Sequence, residues 1–351
     1  MKRRSFITNT LAALPVLSPM LVNAQSNRMK KSNLKIIKPK RLSPGARIGL
    51  AAPAGFVTAD QLQHAITKIT EMGFLPIYSD ELLSQRGYLA GNDEIRANTL
   101  NRLFNDKSID GIFCLRGGYG TQRILHLLDY KAIKHNPKPI IGYSDITALL
   151  TAIFQKTGLI VFHGPVGISS FSDYTLDCFN KILCNPTNEY VINVSEANKL
   201  LALENSDYQT CTIQSGVIEA ELIGGNLSLL STLVGTPYEP DMRGKIVFIE
   251  DVHEEPYRID RMLTHLINSN LLTQAAGIVL GVFTDSDITA GSTNSLSLFE
   301  VMLDRLYPLN IPVIYGFSFG HIRNICTLPL GIKARLDVEA QTLTLLEPAV
   351  I

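Results

Sequence analysis

The first part of the chain alternates short apolar runs with amphipathic stretches. The apolar runs have the length and composition of buried β-strands and fall at residues 46–52, 75–78, 111–115, 139–142 and 159–162. Apolar positions at helical spacing occur between them, at residues 59–71, 93–104 and 121–128. Strands that alternate with helices predict a mostly parallel sheet covered on both faces. We therefore predict an N-terminal α/β domain over residues 46–170.

The pattern weakens between residues 171 and 212, where polar side chains accumulate, and we place a junction between two domains there. A second domain is expected over residues 213–351. Its predicted strands and helices are 217–223, 227–233 (helix), 244–250, 257–267 (helix), 276–281, 295–306 (helix) and 312–315. Residues 331–337 and 342–346 alternate apolar and polar positions like an antiparallel pair. The second domain is therefore expected to be mixed α/β.

A serine follows one of the predicted strands. Residues 139–147, PIIGYSDIT, place Ser144 on a tight turn between a strand and a helix. Such a turn holds the hydroxyl where a substrate can reach it, and the first N–H groups of the helix favour negative charge at the same spot. A hydrolase elbow usually has a second glycine where this chain has Ile146, and serine is also a common helix N-cap. From this segment alone, a nucleophile and an N-cap serine are equally open.

Two other predicted strands end close to reactive groups. Glu250 ends the strand 244–250, and His321 follows the strand 312–315 after a short loop. A serine nucleophile needs an imidazole to accept its proton and a carboxylate to orient that imidazole. Sites in open α/β sheets form at the carboxyl ends of strands, so the chain order Ser144, Glu250, His321 permits a triad. Taken alone, Glu250 is more typical of a solvated acidic loop, and His321 is more typical of an ordinary loop histidine.

Residues 115–120, LRGGYG, form a glycine-rich turn after another predicted strand. The bare backbone at Gly117 and Gly118 is suited to donate an N–H group to an oxyanion. The alternatives are a simple turn or a phosphate cradle, although the Lys-Ser/Thr pair of a P-loop does not follow. His253 lies near several carboxylates, but no spacing such as H-E-x-x-H is present, so no metal site is predicted.

Composition narrows the class of protein. The chain is 46% hydrophobic, as expected for a globular enzyme, and removal of residues 1–24 leaves 29 basic against 32 acidic residues. This balance gives no basic excess to indicate binding of nucleic acid or anionic lipid. The five cysteines form no C-x-x-C pair. Cys114 is expected in the core, whereas a Cys178–Cys184 or Cys184–Cys211 disulfide stays open.

Residues 1–24 have the pattern of an export signal. A charged start, an apolar stretch and a small-x-Ala site ending at Ala24 follow one another. Residues 3–7, RRSFI, match a twin-arginine signal, with a general secretory signal as the alternative. The apolar stretch is too short for a membrane span, and no cysteine stands at the cleavage site to carry a lipid anchor. We expect a periplasmic protein in which residues 25–45 are a polar lead-in.

Taken together, six segments resemble the LD-carboxypeptidase family of serine peptidases, which includes murein tetrapeptide carboxypeptidases and microcin C immunity peptidases. In the family's order, over roughly residues 45–340, they are residues 49–55, 115–120, 141–147, 222–227, 250–263 and 316–321. The set is far more specific than any of its members. The resemblance implies an N-terminal α/β domain with the nucleophile, a C-terminal domain with the acid and base, and a site between them.

Residue by residue, the resemblance assigns the nucleophile to Ser144, the acid to Glu250 and the base to His321. It assigns the oxyanion hole to the N–H of Asp145 and to that of Gly117 or Gly118. It also implies a homodimer, and a reaction without a metal or other cofactor.

Two places depart from the family's pattern. They are His253 and Glu254 after the acid, and residues 322–324 after the base. Neither touches the implied triad, so substrate choice is less certain than reaction class.

The expected function is release of terminal D-alanine from a murein stem tetrapeptide, after the L-configured centre of a diamino acid. Arg116 is a candidate anchor for the carboxylate of the leaving residue, with a structural salt bridge as the alternative. Tyr119 is a second candidate substrate-binding residue. A peptidase that inactivates a peptide-nucleotide antibiotic is the alternative in the same class. A periplasmic binding protein, with two α/β domains around a cleft, is the alternative from another class.

Overall fold

Two β-sheets organise the chain in a computed structural model that describes residues 34–288 and 294–351. The predicted export signal and the lead-in up to residue 33 lie outside the described residues. The strands are β1 (Arg47–Ala51), β2 (Leu75–Ile77), β3 (Gly111–Cys114), β4 (Ile140–Gly142), β5 (Phe162–His163), β6 (Tyr190–Ile192), β7 (Cys211–Gln214), β8 (Val217–Asn226), β9 (Ile246–Glu250), β10 (Gly277–Leu280), β11 (Val313–Tyr315), β12 (Leu328–Pro329), β13 (Lys333–Asp337) and β14 (Thr342–Leu345). The helices are α1 (Ala59–Glu71), α2 (Asp93–Asn105), α3 (Tyr130–His135), α4 (Ile146–Thr157), α5 (Asp173–Phe179), α6 (Glu196–Leu201), α7 (Leu227–Thr232), α8 (Pro256–Asn268) and α9 (Leu298–Leu306).

The N-terminal sheet has six strands in the order β12-β5-β4-β3-β1-β2. Every neighbouring pair is parallel except β12 with β5. Strands β3 and β4 are buried along their whole length, as expected for parallel strands with both faces covered. The prediction of a mostly parallel N-terminal sheet is confirmed.

The C-terminal sheet has eight strands in the order β6-β14-β13-β8-β9-β10-β11-β7. Strands β8 to β11 form a parallel centre, and antiparallel strands flank it on both sides. The antiparallel pair predicted near the end of the chain is β13 with β14. The second domain is therefore mixed α/β, as predicted.

Helix boundaries follow local capping signals. Helix α1 begins after Thr58, whose side chain forms a capping box with Gln61, and it is followed by Gly73 in the left-handed region at φ 85°. The predicted bounds 59–71 are correct. Helix α9 begins at Leu298 and not at residue 295, because Ser297 is its N-cap and forms a capping box with Glu300.

The junction segment, residues 171–212, contains regular structure that the sequence pattern does not indicate. Helices α5 and α6 lie in it, and strands β6 and β7 lie in it or begin there. β6 and β7 are the two edge strands of the C-terminal sheet. Short, partly exposed edge strands carry little apolar periodicity, which is why the pattern weakens here.

The N-terminal sheet also receives a strand from the far end of the chain. Strand β12 pairs antiparallel with β5, so the backbone returns from the C-terminal sheet seven residues after His321. Only Phe162 of the predicted strand 159–162 belongs to β5, whereas Leu159 forms an isolated bridge with Ile37. Both domains belong to one compact unit, Leu34–Ile351.

All five cysteines are free thiols, so neither of the two disulfides left open is formed. Cys114 is buried on β3, as predicted, and burial raises the pKa of its thiol. None of the helices in residues 34–288 and 294–351 combines the length and the apolar character needed to span a bilayer.

Candidate active site

Ser144 occupies a sharp turn between β4 and α4. Its φ is 63°, in the left-handed region that non-glycine residues seldom adopt, and its side chain is half-buried. The N-cap position of α4 is Asp145, and no side chain caps the helix. Ser144 is therefore not the N-cap of this helix. The serine hydroxyl instead points toward an imidazole.

That imidazole belongs to His321. Its Nε2 lies 3.0 Å from Ser144 Oγ, and its Nδ1 lies 2.8 Å from Glu250 Oε2. A carboxylate requires the proton on Nδ1, which leaves Nε2 free to accept the hydrogen bond of the serine hydroxyl. The structure thus brings together three residues that are separated by 106 and 71 positions in the chain.

Glu250 lies in the parallel centre of the C-terminal sheet. Glu250 is the last residue of β9 and is completely buried. Gly320, which precedes the histidine, has φ 117°, and a Cβ there would lie 2.6 Å from the carbonyl oxygen of Val282. Only glycine fits this backbone, so Gly320 allows the loop to carry His321 across the end of β9.

Opposing effects set the charges of this pair. Burial on its own would lower the pKa of His321, but the charge and hydrogen bond of Glu250 outweigh it, and the pKa lies above the ordinary value. Burial would likewise raise the pKa of Glu250, but the charge and hydrogen bond of His321 hold it below the ordinary value. The arrangement keeps Glu250 ionised and favours the charged form of His321.

A hydrogen-bonded network that sequence analysis missed surrounds Glu250. Asn226 lies opposite Glu250 in the β8–β9 register, and its Nδ2 donates to Asp251 Oδ1 at 2.9 Å. The backbone N–H and the hydroxyl of Ser228 donate to Asp251 Oδ2 at 2.9 and 2.8 Å. Burial, followed by the charge of Glu250, raises the pKa of Asp251 to about 6. The GGN segment at 224–226 carries the signal, although on its own it predicts only the start of a helix.

The same asparagine connects the strand of Glu250 to helix α4, which follows Ser144. The backbone N–H of Asn226 donates to Thr147 Oγ1 at 3.0 Å, and the N–H of Thr147 donates to the Ser144 carbonyl at 2.9 Å. A Cβ at Gly225 would lie 2.4 Å from Thr147 Cγ2, so glycine is required for this close approach. One chain of hydrogen bonds therefore runs between the two domains beside the triad.

His163 and Tyr143 form an aromatic wall behind the triad. The Tyr143 ring lies 5.0 Å from the His321 ring, edge to face, and the buried His163 ring packs against Phe248 and Phe319. Burial lowers the pKa of His163 to about 4. His163 is therefore neutral where His321 titrates.

The glycine-rich turn lies directly against Ser144. A Cβ at Gly117 would be 2.8 Å from Ser144 Cβ and 2.9 Å from its Oγ, so only glycine fits. Within the described ranges, the N–H groups of Gly118 and Asp145 donate to no backbone carbonyl. The Asp145 carboxylate accepts the N–H of Thr121 at 2.9 Å, which ties the elbow to the residue after the turn. Burial raises the pKa of Asp145.

The two candidate substrate-binding residues flank this turn. The half-buried guanidinium of Arg116 donates through Nη1 to the Phe56 carbonyl at 3.1 Å, and no acidic side chain of the described residues lies within salt-bridge distance of it. The salt-bridge alternative is therefore not realised in this part of the chain. Tyr119 is 52% exposed and contacts Tyr88 edge to face.

The departures from the family's pattern make contacts of their own. His253 Nδ1 lies 3.5 Å from Asp285 Oδ2, and an Arg258 nitrogen lies 3.6 Å from the Glu254 carboxylate. Across the part of the chain that is described, no three His, Cys, Asp or Glu side chains are grouped as a metal site would require. The cofactor-free reaction stays a prediction.

Comparisons with known proteins identify the family. The LD-carboxypeptidase N-terminal domain matches residues 48–164, and the LD-carboxypeptidase C-terminal domain matches residues 219–336. A probable murein peptide carboxypeptidase of Bacillus subtilis is 37% identical over 310 residues, which cover 87% of this chain and 93% of the relative. This chain belongs to the LD-carboxypeptidase family.

Solved structures agree with that assignment. The Microcin C7 self immunity protein MccF, in its wild-type apo state, superposes with a TM-score of 0.80 at 29% identity, covering 90% of this chain and 100% of MccF. A muramoyltetrapeptide carboxypeptidase from Oxalobacter formigenes superposes with a TM-score of 0.72 at 30% identity, covering 86% and 98%. In this LD-carboxypeptidase, Ser144 lies in the N-terminal match, whereas Glu250 and His321 lie in the C-terminal match.

Proposed function

We propose that this LD-carboxypeptidase releases terminal D-alanine from murein stem tetrapeptides through a Ser144–His321–Glu250 triad. The observation that carries the proposal is the pair of distances, 3.0 Å from Ser144 Oγ to His321 Nε2 and 2.8 Å from His321 Nδ1 to Glu250 Oε2. Two relatives named for murein peptides support the choice of substrate.

Each triad member has one task. Ser144 Oγ attacks the carbonyl carbon of the last peptide bond while its proton passes to His321 Nε2, and Glu250 stabilises the imidazolium. The imidazolium then gives that proton to the nitrogen of the leaving D-alanine, and an acyl-enzyme remains. Water attacks the acyl-enzyme with His321 again as the base, which releases the shortened peptide and restores the serine.

The N–H groups of Asp145 and Gly118 are assigned to the oxyanion. Both are free of backbone partners in the described residues, and Gly117 brings the turn against Ser144. Preorganised donors of this kind each contribute about 10²–10³ in rate, since they are aimed where charge develops. Arg116, one residue before the glycines and without an acidic partner among the described residues, is assigned to the carboxylate of the leaving residue.

We also propose that the protein is exported and acts in the periplasm as a homodimer. The charged, apolar and small-x-Ala pattern of residues 1–24 supports export, and the twin-arginine match supports export in a folded state. A fusion of residues 1–30 to a reporter, followed by fractionation, tests export, and light scattering of the purified chain tests the dimer.

A peptide-nucleotide antibiotic is the second candidate substrate. Similarity to MccF of Escherichia coli, 33% identical over 330 residues, favours it. Cleavage assays with an aminoacyl sulfamoyl adenosine and with a murein tetrapeptide separate the two candidates.

Stereochemistry provides the main test of the proposal. With the terminal carboxylate anchored and the carbonyl fixed over Ser144, a D-residue and an L-residue point their methyl groups in different directions. We expect D-alanine release from the L,D-linked tetrapeptide and little L-alanine release from the L,L isomer, as measured by mass spectrometry. Equal rates on the two isomers would reject the proposed specificity for a terminal D-residue. Covalent labelling of Ser144 by a phosphonate would reject the remaining alternative, a binding protein without catalysis.

A further inference from the structure

Two exposed tyrosines form a pair at the rim of the site. Tyr88 is 65% exposed and Tyr119 is 52% exposed, yet their rings contact each other edge to face with centroids 5.5 Å apart. Large aromatic rings that hold a fixed geometry in solvent offer contact area at a low cost in conformational entropy. The triad and the oxyanion hole use neither side chain.

The rim that carries the pair is anchored from beneath by Arg96. This guanidinium is buried, and its Nη1 donates to the carbonyls of Pro53 at 2.6 Å and Gly120 at 2.8 Å. It also pairs with Asp93. Burial lowers the pKa of Arg96, and the hydrogen bond to Asp93 opposes the effect. A buried guanidinium that bridges two loops in this way fixes the distance between them.

Backbone hydrogen bonds complete the anchoring. Ala90 N–H donates to the Ala54 carbonyl at 3.0 Å, and Gly55 N–H donates to the Gly117 carbonyl at 3.2 Å. The loops that follow β1 and β3 and the loop before α2 are therefore joined into one rim. Tyr88 and Tyr119 project from this rim as a preorganised pair.

The pair lies close to Ser144 along the glycine-rich turn. Tyr119 is two residues from Gly117, which lies against Ser144, so their Cα atoms are at most about 7.6 Å apart, and a tyrosine side chain extends further. A carboxypeptidase has a single residue on the leaving side of the cleaved bond, and that residue ends about one extended residue, roughly 3.5 Å, beyond it. Because Arg116 is assigned to the carboxylate of that residue, the acyl segment, which is the rest of the substrate, is the part left for the rings.

We infer that Tyr88 and Tyr119 form a binding subsite for the acyl segment of the peptide, two to three residues before the cleaved bond. The inference rests on the proposed function. The ring faces pack against the peptide planes of an extended segment, and the phenol groups provide hydrogen bonds at its polar edge. The subsite makes the enzyme prefer a tetrapeptide over a dipeptide with the same scissile bond.

The test compares kcat/KM for a stem tetrapeptide and for an N-acetylated diamino acid–D-alanine dipeptide. In Tyr88→Ala and Tyr119→Ala, the tetrapeptide-over-dipeptide preference is expected to fall about tenfold, the loss typical of an aromatic contact residue. Tyr88→Phe and Tyr119→Phe should keep most of the preference. Tyr307→Ala is the matched control, since Tyr307 is 58% exposed after α9, and it should keep the wild-type preference.

Calorimetric binding of the tripeptide product gives a readout independent of turnover. Its affinity should also weaken about tenfold in the two alanine variants. An unchanged preference with unchanged tripeptide affinity would overturn the subsite. A wild-type enzyme that releases D-alanine from neither peptide would reject the proposed function instead, and tripeptide binding would still decide the subsite.

Discussion

The two halves of the site are built by different means. In the N-terminal domain, a single strained residue presents the proposed nucleophile: Ser144 has φ 63° and is half-buried. In the C-terminal domain, Glu250 is a regular, fully buried strand residue that neighbouring strands hold in place. The proposed nucleophile thus depends on one local turn, whereas the proposed acid and base depend on the packing of a sheet.

Several contacts join the halves, and one of them is a hydrogen bond beside the candidate triad. Thr147 in the first turn of α4 accepts the N–H of Asn226, the residue opposite Glu250. Strain at the elbow is useful only if this contact keeps the serine within reach of His321. Five substitutions probe the difference between the halves, in order of the size of the quantity that each one measures: first losses of rate, then changes in stability.

Ser144→Ala removes the nucleophile and little else. The rate of D-alanine release should fall by about 10⁶, because no other group can form the acyl-enzyme. Tetrapeptide binding, measured by calorimetry, should stay within a few-fold of wild type. A variant that retains more than a per cent of the turnover would contradict the role of Ser144.

Glu250→Gln tests the buried half. A glutamine cannot enforce the correct tautomer or stabilise the imidazolium, so kcat should fall by about 10⁴.

The acid limb of the pH profile of kcat/KM should also move in Glu250→Gln. In the wild type, His321 must be neutral, so activity falls as the pH drops through a pKa above the ordinary value of about 6.5. Without the Glu250 charge, burial dominates and the limb should shift to lower pH. A limb that stays in place would show that Glu250 does not set this pKa.

His163→Gln tests the stability of the wall behind the triad. Unfolded chains protonate His163 below about pH 6.5, whereas the folded protein does so only below about pH 4. Between these values the unfolded state binds more protons, so the free energy of unfolding falls by up to about 3 kcal/mol as the pH drops. Urea unfolding of His163→Gln should show a smaller fall over this range. The exposed His126→Gln is the control, and equal slopes in both variants would argue against His163.

Thr147→Val tests the contact between the halves. It leaves the buried N–H of Asn226 without its acceptor, which should lower the free energy of unfolding by about 1–3 kcal/mol and reduce kcat. Thr151 lies one turn further along α4, equally buried, and its hydroxyl has no partner in the described residues. Thr151→Val should therefore be neutral or stabilising. If the two valine variants behave alike, the hydrogen bond to Asn226 has no special role.

Ser144→Gly lacks the hydroxyl as Ser144→Ala does, and the small difference in stability between these two variants isolates the strain. The left-handed backbone costs a non-glycine residue about 1–2 kcal/mol, whereas glycine loses about 0.5–1 kcal/mol more in chain entropy. Ser144→Gly should therefore be more stable than Ser144→Ala by about 0.5 kcal/mol in denaturant titration. At Ala148, inside α4, the change Ala→Gly should instead destabilise by about 1 kcal/mol. A less stable Ser144→Gly would indicate that the turn is unstrained.

Some features of this LD-carboxypeptidase are set by short stretches of sequence. Buried parallel strands consist of apolar runs, and helix α1 lies between the capping residue Thr58 and the left-handed Gly73, so its bounds could be predicted. The elbow is equally local, because one strand, one turn and one helix make it. The order of the motifs along the chain then indicates the family and its implied triad.

Other features exist only in the folded chain. The edge strands β6 and β7 are too short and too exposed to show an apolar period. They pair with β14 and β11, whose free edges exist only once the rest of the sheet has formed. The network around Asp251, the Asn226–Thr147 contact and the anchoring by Arg96 join residues from different loops and strands. Sequence spacing could not predict them, because a hydrogen bond between distant segments is decided by sheet register and by close backbone approach at residues such as Gly225 and Gly320.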